Sequence, residues 1–311
     1  MTDVQTPRPS HEVFTAAMEG FFGPLSGPVG MMVQEIGGGR VLTWNHDLAF
    51  PTASTLKVPL LYELYRQSEA GTVVLNERVT LRHADRTPGS GVLQYLDEGL
   101  APTLRDLAEL MIIVSDNWAT DILFSRLGKD NISATLAELG LHDTHLSLTI
   151  HELFSALTGV DPDDPDDPNV TYDALRQSLK DYEPGPDNIS LAADSRGDVS
   201  TPADMVRLLT LIDAADGISA ESRVAMIQIL THQNFGAIIP HRLPTDQHIE
   251  VAHKTGSLRG IRNDVGLVYS PRVTYAIAFM SRGQDDIPEV VDRMARASRW
   301  VWDYLAADEQ T

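Results

Sequence analysis

Ser54 and Lys57 stand three residues apart in Pro51-Thr52-Ala53-Ser54-Thr55-Leu56-Lys57-Val58-Pro59-Leu60-Leu61, where a polar cluster gives way to an apolar run. That order predicts a buried helix, with Thr52 or Ser54 near its N-cap. On a helix, residues three apart share a face with Cβ atoms about 5–6 Å apart. A hydroxyl would then lie beside an amine, a nucleophile beside a base. The first-turn N–H groups and the positive end of the helix dipole suit a developing oxyanion. Taken alone, S-x-x-K is a weak signal and reads more readily as a capping serine and a lysine whose stem covers apolar surface. Two further triplets follow in order: Ser115-Asp116-Asn117, after the apolar helical run of 104–114, and Lys254-Thr255-Gly256, at the end of a strand-like run.

The elements that must position these triplets can be read from hydrophobic period. Residues 11–25 carry Val13, Phe14, Met18, Phe21 and Phe22 at helical spacing. Residues 28–34 and 40–44 flank Gly37-Gly38-Gly39 and predict a β-hairpin. The Ser54 helix should run to about Ala70 and stop at Gly71. Helices are expected over 104–114, 117–127, 132–139, 205–211, 222–230 and 290–305, and strands over 248–253, 264–269 and 273–281. Strands thus sit at both ends of the chain and helices in the middle. The expected fold is α/β in the α+β sense: an antiparallel sheet from the N- and C-terminal segments, flanked by helices, with an inserted helical region. The corresponding domains are 11–58 with 203–311 for the sheet and 59–202 for the helices, after a disordered arm at 1–10.

Composition limits the function. The 311 residues suffice for a substantial core, and a formal charge of -20 disfavours nucleic-acid partners, whose phosphates would be repelled. Cysteine is absent, which removes disulfides, thiol nucleophiles and thiolate metal sites. The first nine residues lack a basic segment followed by an apolar one, so no secretory signal is expected, and no run approaches a membrane span. A cytoplasmic, monomeric protein acting on a small molecule is the expectation. Asp161-Pro162-Asp163-Asp164-Pro165-Asp166-Asp167-Pro168 lacks the glycine and closing glutamate of a calcium loop and reads as solvated loop. His142, His145, His151 and Glu152 fit no common zinc spacing, so no metal or other cofactor is expected. His253 should point away from Lys254 and be packed or bridging.

With its three triplets in order, the chain resembles class A β-lactamases and the related penicillin-recognising serine hydrolases, over about residues 12–308. Thr87-Pro88-Gly89-Ser90-Gly91-Val92-Leu93 is similar to a loop before the second motif in these proteins. Asp198-Val199-Ser200-Thr201-Pro202-Ala203-Asp204-Met205 resembles the exit of their Ω-loop, and Ile239-Pro240-His241-Arg242-Leu243-Pro244 the segment before the third motif. The resemblance implies a β-lactamase/transpeptidase-like fold and a Ser54 acyl-enzyme. Lys57 would be the base, Ser115 a proton relay, Asn117 a holder of both Lys57 and a substrate amide, and Lys254 a cation for a substrate carboxylate. Thr255, Gly256 and Ser257 would pair with substrate as a strand, the N–H groups of Ser54 and Ser257 would form the oxyanion hole, and Arg242, or Arg259 or Arg262, would bind the carboxylate.

The family's Ω-loop glutamate, which activates the deacylating water, has no plain equivalent. Counted forward from Gly140 it falls at Ile150, with Glu152 two residues off; counted back from Pro202, Glu183-Pro184 is the candidate. Three functions therefore stand side by side: a β-lactam hydrolase, an esterase or D-alanyl peptidase with slow β-lactam turnover, and a penicillin-binding domain that stays acylated.

Overall fold

The structure, a computed structural model, describes residues 11–159, 171–182, 193, 194 and 196–307. Its frame is a five-stranded antiparallel sheet made from both ends of the chain. β1 (Val29–Glu35) and β2 (Val41–Trp44) form the first hairpin; β5 (Glu250–Leu258), β6 (Ile261–Tyr269) and β7 (Thr274–Ser281) form the C-terminal meander. The order is β2-β1-β7-β6-β5, with Val29 opposite Ser281 and Glu35 opposite Tyr275. β7 is central, and its side chains alternate between two cores, as a strand's period of two requires. Tyr275, Ile277 and Phe279 join α1 (His11–Phe22) and α10 (Ile287–Ala306) through Phe14, Met18, Val290 and Met294. Ala276, Ala278 and Met280 face the other way, against α8 (Pro202–Ala214) and the helical region. Burying each large apolar side chain contributes roughly 1.5–3 kcal/mol, so both faces of this strand anchor the sheet.

The helical region comprises α2 (Lys57–Glu69), α3 (Leu104–Ile113), α4 (Asn117–Leu127), α5 (Lys129–Glu138), α6 (Ile150–Thr158) and α7 (Tyr172–Asp181), with α9 (Ala220–Thr231) returning to β5. Short polar residues start α3, α4, α6, α7 and α9 by capping free N–H groups, whereas α2 and α5 follow Leu56 and Gly128 without a side-chain cap. Thr103 and Asp106 form a capping box on α3, Thr149 and Glu152 another on α6, and Asp116 caps α4. A two-stranded ladder, β3 (Phe50–Pro51) with β4 (Val199–Ser200), ties the segment before Ser54 to the segment after Asp198.

The fold class expected from the sequence is the one found. Three details differ. Thr52 sits at the N-cap position of a 3-10 turn, Ala53–Leu56, that precedes α2, but its side chain does not cap: its hydroxyl donates to the Asp198 carbonyl at 3.1 Å, and α2 itself starts after Leu56. β5 does not end at the Lys254 triplet but runs through it to Leu258, because Gly256 and Ser257 continue the ladder opposite Asn263 and Arg262. And α6 and α7 occupy a stretch that hydrophobic period left unassigned, α7 burying only Leu175 fully. The Asp-Pro run and Glu183 lie outside the described residues. Among the described residues no helix is long and apolar enough to cross a membrane.

Candidate active site

Four elements meet at Ser54. The 3-10 turn carries it, α2 begins with Lys57, the link from α3 to α4 brings Ser115 and Asn117, and β5 brings Lys254 to Ser257. Gly256 lets β5 approach: a Cβ there would stand 2.7 Å from the Thr52 carbonyl oxygen and 3.2 Å from Ala53 Cβ. Asn263, on β6, locks the approach by donating to the carbonyls of Pro51 and Thr52 at 2.8 and 3.0 Å. Ala53 and Ser115 both hold positive φ, 45° and 55°. Non-glycine residues adopt that region at a cost of about 1 kcal/mol or more, so the surrounding contacts impose it.

At Ser115 the strained turn has a visible effect. Lys57 Nζ, fully buried, contacts the Ser115 carbonyl at 2.8 Å, Ser115 Oγ at 3.0 Å and Asn117 Oδ1 at 3.0 Å. The carbonyl and the amide oxygen only accept, whereas the hydroxyl both donates and accepts. A neutral amine can therefore be satisfied here, giving two N–H groups to the oxygens and receiving the Ser115 proton on its lone pair. Burial brings the Lys57 pKa down to about 7, against the opposing pull of the Asp116 and Asp121 carboxylates. Lys254, equally buried, is held well below the usual lysine range, first by burial and then by the Lys57 charge, against Asp264. Its Nζ donates to the Thr255 carbonyl at 2.8 Å. Two ammonium groups in one dry site repel, so the pair holds one proton more readily than two. Ser54 Oγ makes no hydrogen bond with the described residues.

The loop before α4 forms one wall. Asp116 accepts from the N–H groups of Val92 and Leu93 at 2.6 and 2.8 Å and from Ala119 at 3.0 Å. Gly91, at φ 109°, is required there, since a Cβ would stand 2.3 Å from the Asp116 carboxyl carbon. Asn117 donates through Nδ2 to the Pro88 carbonyl at 3.0 Å, which leaves its second amide hydrogen for another acceptor. Asp121 joins the wall to α6, accepting from Thr87 Oγ1 at 2.7 Å and from the N–H groups of Ile150 and His151 at 2.6 and 2.9 Å. Burial raises its carboxyl to about 6, against those bonds and the Lys57 charge.

A groove of about 380 Å³ opens over these groups, lined by Ser54, Ser90, Ser115, Thr255, Ser257 and Arg262 among polar residues, with Phe235, Ile238 and Val291 on its apolar side. It offers the Ser54 hydroxyl, a buried amine held by two groups of the link from α3 to α4, and hydroxyl donors along one strand. That is the equipment for acyl transfer to Ser54. Residues 14–305 match the profile of the beta-lactamase enzyme family.

The chain belongs to the beta-lactamase enzyme family.

Solved structures agree. A beta-lactamase from Sphaerobacter thermophilus DSM 20745 is 29% identical, with a TM-score of 0.77 over 97% of this chain and 100% of that one. PBP-A is 24% identical, with a TM-score of 0.75 over 96% and 98%. A class A beta-lactamase representative from Bacteroides cellulosilyticus DSM 14838 is 21% identical, with a TM-score of 0.76 over 97% and 100%. The last two likenesses are of fold.

Against the family pattern, the structure gathers Ser54, Ser115, Thr255 and Ser257 on the groove, with Lys57, Asn117 and Lys254 beneath it. Arg242 is not among the lining side chains; it pairs with Asp292 on α10. Arg259 donates to the Tyr182 carbonyl at 2.8 Å. Arg262 lines the groove while donating to the carbonyls of Leu258 and Ile261. Glu152 is engaged elsewhere: Lys129 Nζ lies 2.9 Å from both of its oxygens, and the Thr149 N–H donates to it at 2.7 Å. Ile150 is buried and Phe154, one turn on, brings its ring near Gly89, whose own Cβ direction points at Asn117 Nδ2. His253 is buried and bridged to Asp264 Oδ1 at 2.7 Å, while Asp264 Oδ2 accepts from the Ile239 N–H. Among the described residues no cluster of three or more His, Cys, Asp or Glu side chains could hold a metal. Ser90, Phe235 and Asp121 were not singled out from the sequence. Only Ser90 carried a signal, its place in the Thr87–Leu93 loop; Phe235 sits in a segment without period, and Asp121 reads as one polar residue on a helix.

Proposed function

We propose that this protein is a serine hydrolase that opens β-lactams through an acyl-enzyme on Ser54. Neutral Lys57 takes the Ser54 proton, and Oγ bonds to the carbonyl carbon. The N–H groups of Ser54 and Ser257 receive the oxyanion. Ser115 then passes a proton to the leaving nitrogen as the C–N bond breaks, and Lys57 returns its proton to Ser115. Lys254, Thr255 and Arg262 face a carboxylate on the leaving side. One observation carries this reading: the buried Lys57 amine, held by Ser115 and Asn117 and brought to about 7. Intact-mass spectrometry after incubation with a penicillin tests it. A stoichiometric adduct on wild type and none on Ser54→Ala is expected; an adduct retained by Ser54→Ala refutes the assignment.

A second reading concerns turnover. Where the count forward from Gly140 places the family's water-activating glutamate, α6 carries Ile150 and Phe154 on one face and Glu152 is tied to Lys129, while the other candidate, Glu183, lies outside the described residues. An acyl-enzyme without a base on its open face persists. This favours the reading of an esterase or D-alanyl peptidase with slow β-lactam turnover, in which esters that acylate quickly are limited by the same slow step. A burst equal to the enzyme concentration, followed by a slow steady state, is the expected trace; turnover without a burst excludes it.

A further inference from the structure

We infer that the groove selects substrates in which a carboxylate is flanked by an uncharged apolar substituent, and that Phe235 and Val291 are the side chains that make this choice. The inference rests on the acyl-enzyme reading above and adds to it the class of substrate.

The charge of the groove is unlike that of the chain. Against a formal net charge of -20, no acidic side chain lines it among the described residues, and Arg262 is the cation that does. Arg262 is half-buried, and its Nη1 donates to the carbonyls of Leu258 at 2.9 Å and Ile261 at 2.6 Å. Its Nε and Nη2 make no hydrogen bond with the described residues. That edge of a guanidinium takes a carboxylate through two parallel bonds. In a cephalosporin the carboxylate sits on the ring that holds the scissile nitrogen. The part of the substrate seated at Arg262 is therefore the part beside the leaving nitrogen.

The same groove carries an apolar wall, and that wall is fixed. Phe235 lines it while remaining 47% exposed. Its N–H donates to Gln233 Oε1 at 3.1 Å, and buried Gln233 donates through Nε2 to the Ile112 carbonyl at 3.0 Å. The Asn234 N–H donates to the Ile113 carbonyl at 3.1 Å. These bonds pin the segment to the last turn of α3, whose final residue lies two before Ser115. Next to it, the Ile239 N–H is received by Asp264 and the Ile239 carbonyl accepts from Ser298 of α10 at 2.9 Å, which seats Ile238 against the groove. Val291 comes from the start of α10: Val290 and Met294 are buried in the core, whereas Val291 lines the groove. Its charged neighbours are tied to other groups, Glu289 to Arg293 at 2.8 Å and Asp292 to Arg242 and Arg296, and none of them lines the groove. A fixed apolar wall gains from covering an apolar substituent. A second charge placed there would lose water without finding a partner.

The test uses cephalosporins that share one acyl side chain and differ at C3, the carbon beside the one bearing the carboxylate: methyl, styryl or 2-carboxyethenyl. Acylation rates come from stopped flow, with the adduct confirmed by intact mass. Each is divided by the compound's rate with hydroxide, which removes intrinsic reactivity. Wild type should favour styryl over 2-carboxyethenyl by about tenfold or more. Phe235→Ala combined with Val291→Thr, which keeps the shape of Val291 and removes its apolarity, should lower the styryl rate and erase most of that preference. Arg262→Gln should slow all three compounds by a similar factor, since each carries the ring carboxylate. Equal normalised rates in wild type, a preference that survives in the folded double variant, or undiminished rates in Arg262→Gln overturn the inference. Absence of any adduct with all three compounds would instead strike the acyl-enzyme reading.

Discussion

Lys57 can act as a base only in the fraction of molecules where it is neutral, and that fraction is set by its burial. With a pKa of about 7 the amine is about 9% neutral at pH 6 and about 91% neutral at pH 8. Acylation of Ser54 should therefore rise about tenfold between those values and level off above pH 8. A lysine with an ordinary pKa of 10.5 would instead give a rate still climbing at pH 9. The sign is that of a cation disfavoured by desolvation: lowering pH charges the amine and halts the reaction. The Asp121 carboxylate opposes the shift, so Asp121→Asn, which keeps an oxygen for the Ile150 N–H, should move the midpoint further down. Lys57→Arg has no neutral form to use and should lose about 10²-fold or more. Single-turnover acylation by a chromogenic cephalosporin from pH 5.5 to 9.5 measures all three. A flat profile in wild type, or Lys57→Arg within a few-fold of it, would show that another group takes the proton.

Asp198 is buried, with Oδ1 accepting from Ser147 and Leu148 and Oδ2 unpartnered among the described residues, and burial raises its carboxyl to about 7. A raised carboxyl stabilises the fold below the unfolded value and loses that contribution as pH rises from about 4 to about 7. The gap from 3.8 to about 7 corresponds to about 4 kcal/mol, so Asp198→Asn should gain stability over wild type progressively across this window, by urea unfolding at pH 4 and 8. A gain independent of pH would contradict it. Gly256→Ala should cost about 1–3 kcal/mol and slow acylation, because its Cβ meets the Thr52 carbonyl; unchanged melting and labelling would show that β5 can retreat. Glu152→Gln should leave deacylation unchanged and lower stability by less than about 1 kcal/mol, as glutamine still caps α6 and only an exposed ion pair is lost.

How much of this was legible in the sequence depends on the range of the interaction. The sheet was legible because β7 alternates large and small apolar residues with period two, and α10 because its apolar residues recur each turn. The motif residues were legible as types at fixed spacing, and Lys57, Ser115 and Asn117 do meet. The register of β5 was not, since polar Thr255 and Ser257 break the apolar run that marks a strand; only pairing with β6 reveals it. Arg242, Arg259 and Arg262 were equivalent in sequence because guanidinium groups near a turn look alike until their partners are known. Asp292, Tyr182 and the groove separate them. α6 was missed for a related reason: Thr149-Ile150-His151-Glu152 is a capping box, but Glu152 drew attention as a carboxylate and not as the third residue of a helix.

That last substitution of roles also explains how the site is held together. In a loop carrying a water-activating glutamate, the carboxylate has to face the acyl group. Here Glu152 faces Thr149 and Lys129 and starts a helix. The face of α6 that turns toward Asn117 and Gly89 carries Ile150 and Phe154, and the N–H groups of that first turn are received by Asp121 from α4. Asp121 in turn raises the Lys57 pKa by its charge. The first turn of α6 and the Lys57 amine, the base in the proposed acylation, thus share one buried carboxyl group. Ionising or removing it should alter both steps together: the acylation midpoint through Lys57, and acyl-enzyme lifetime through the seating of α6.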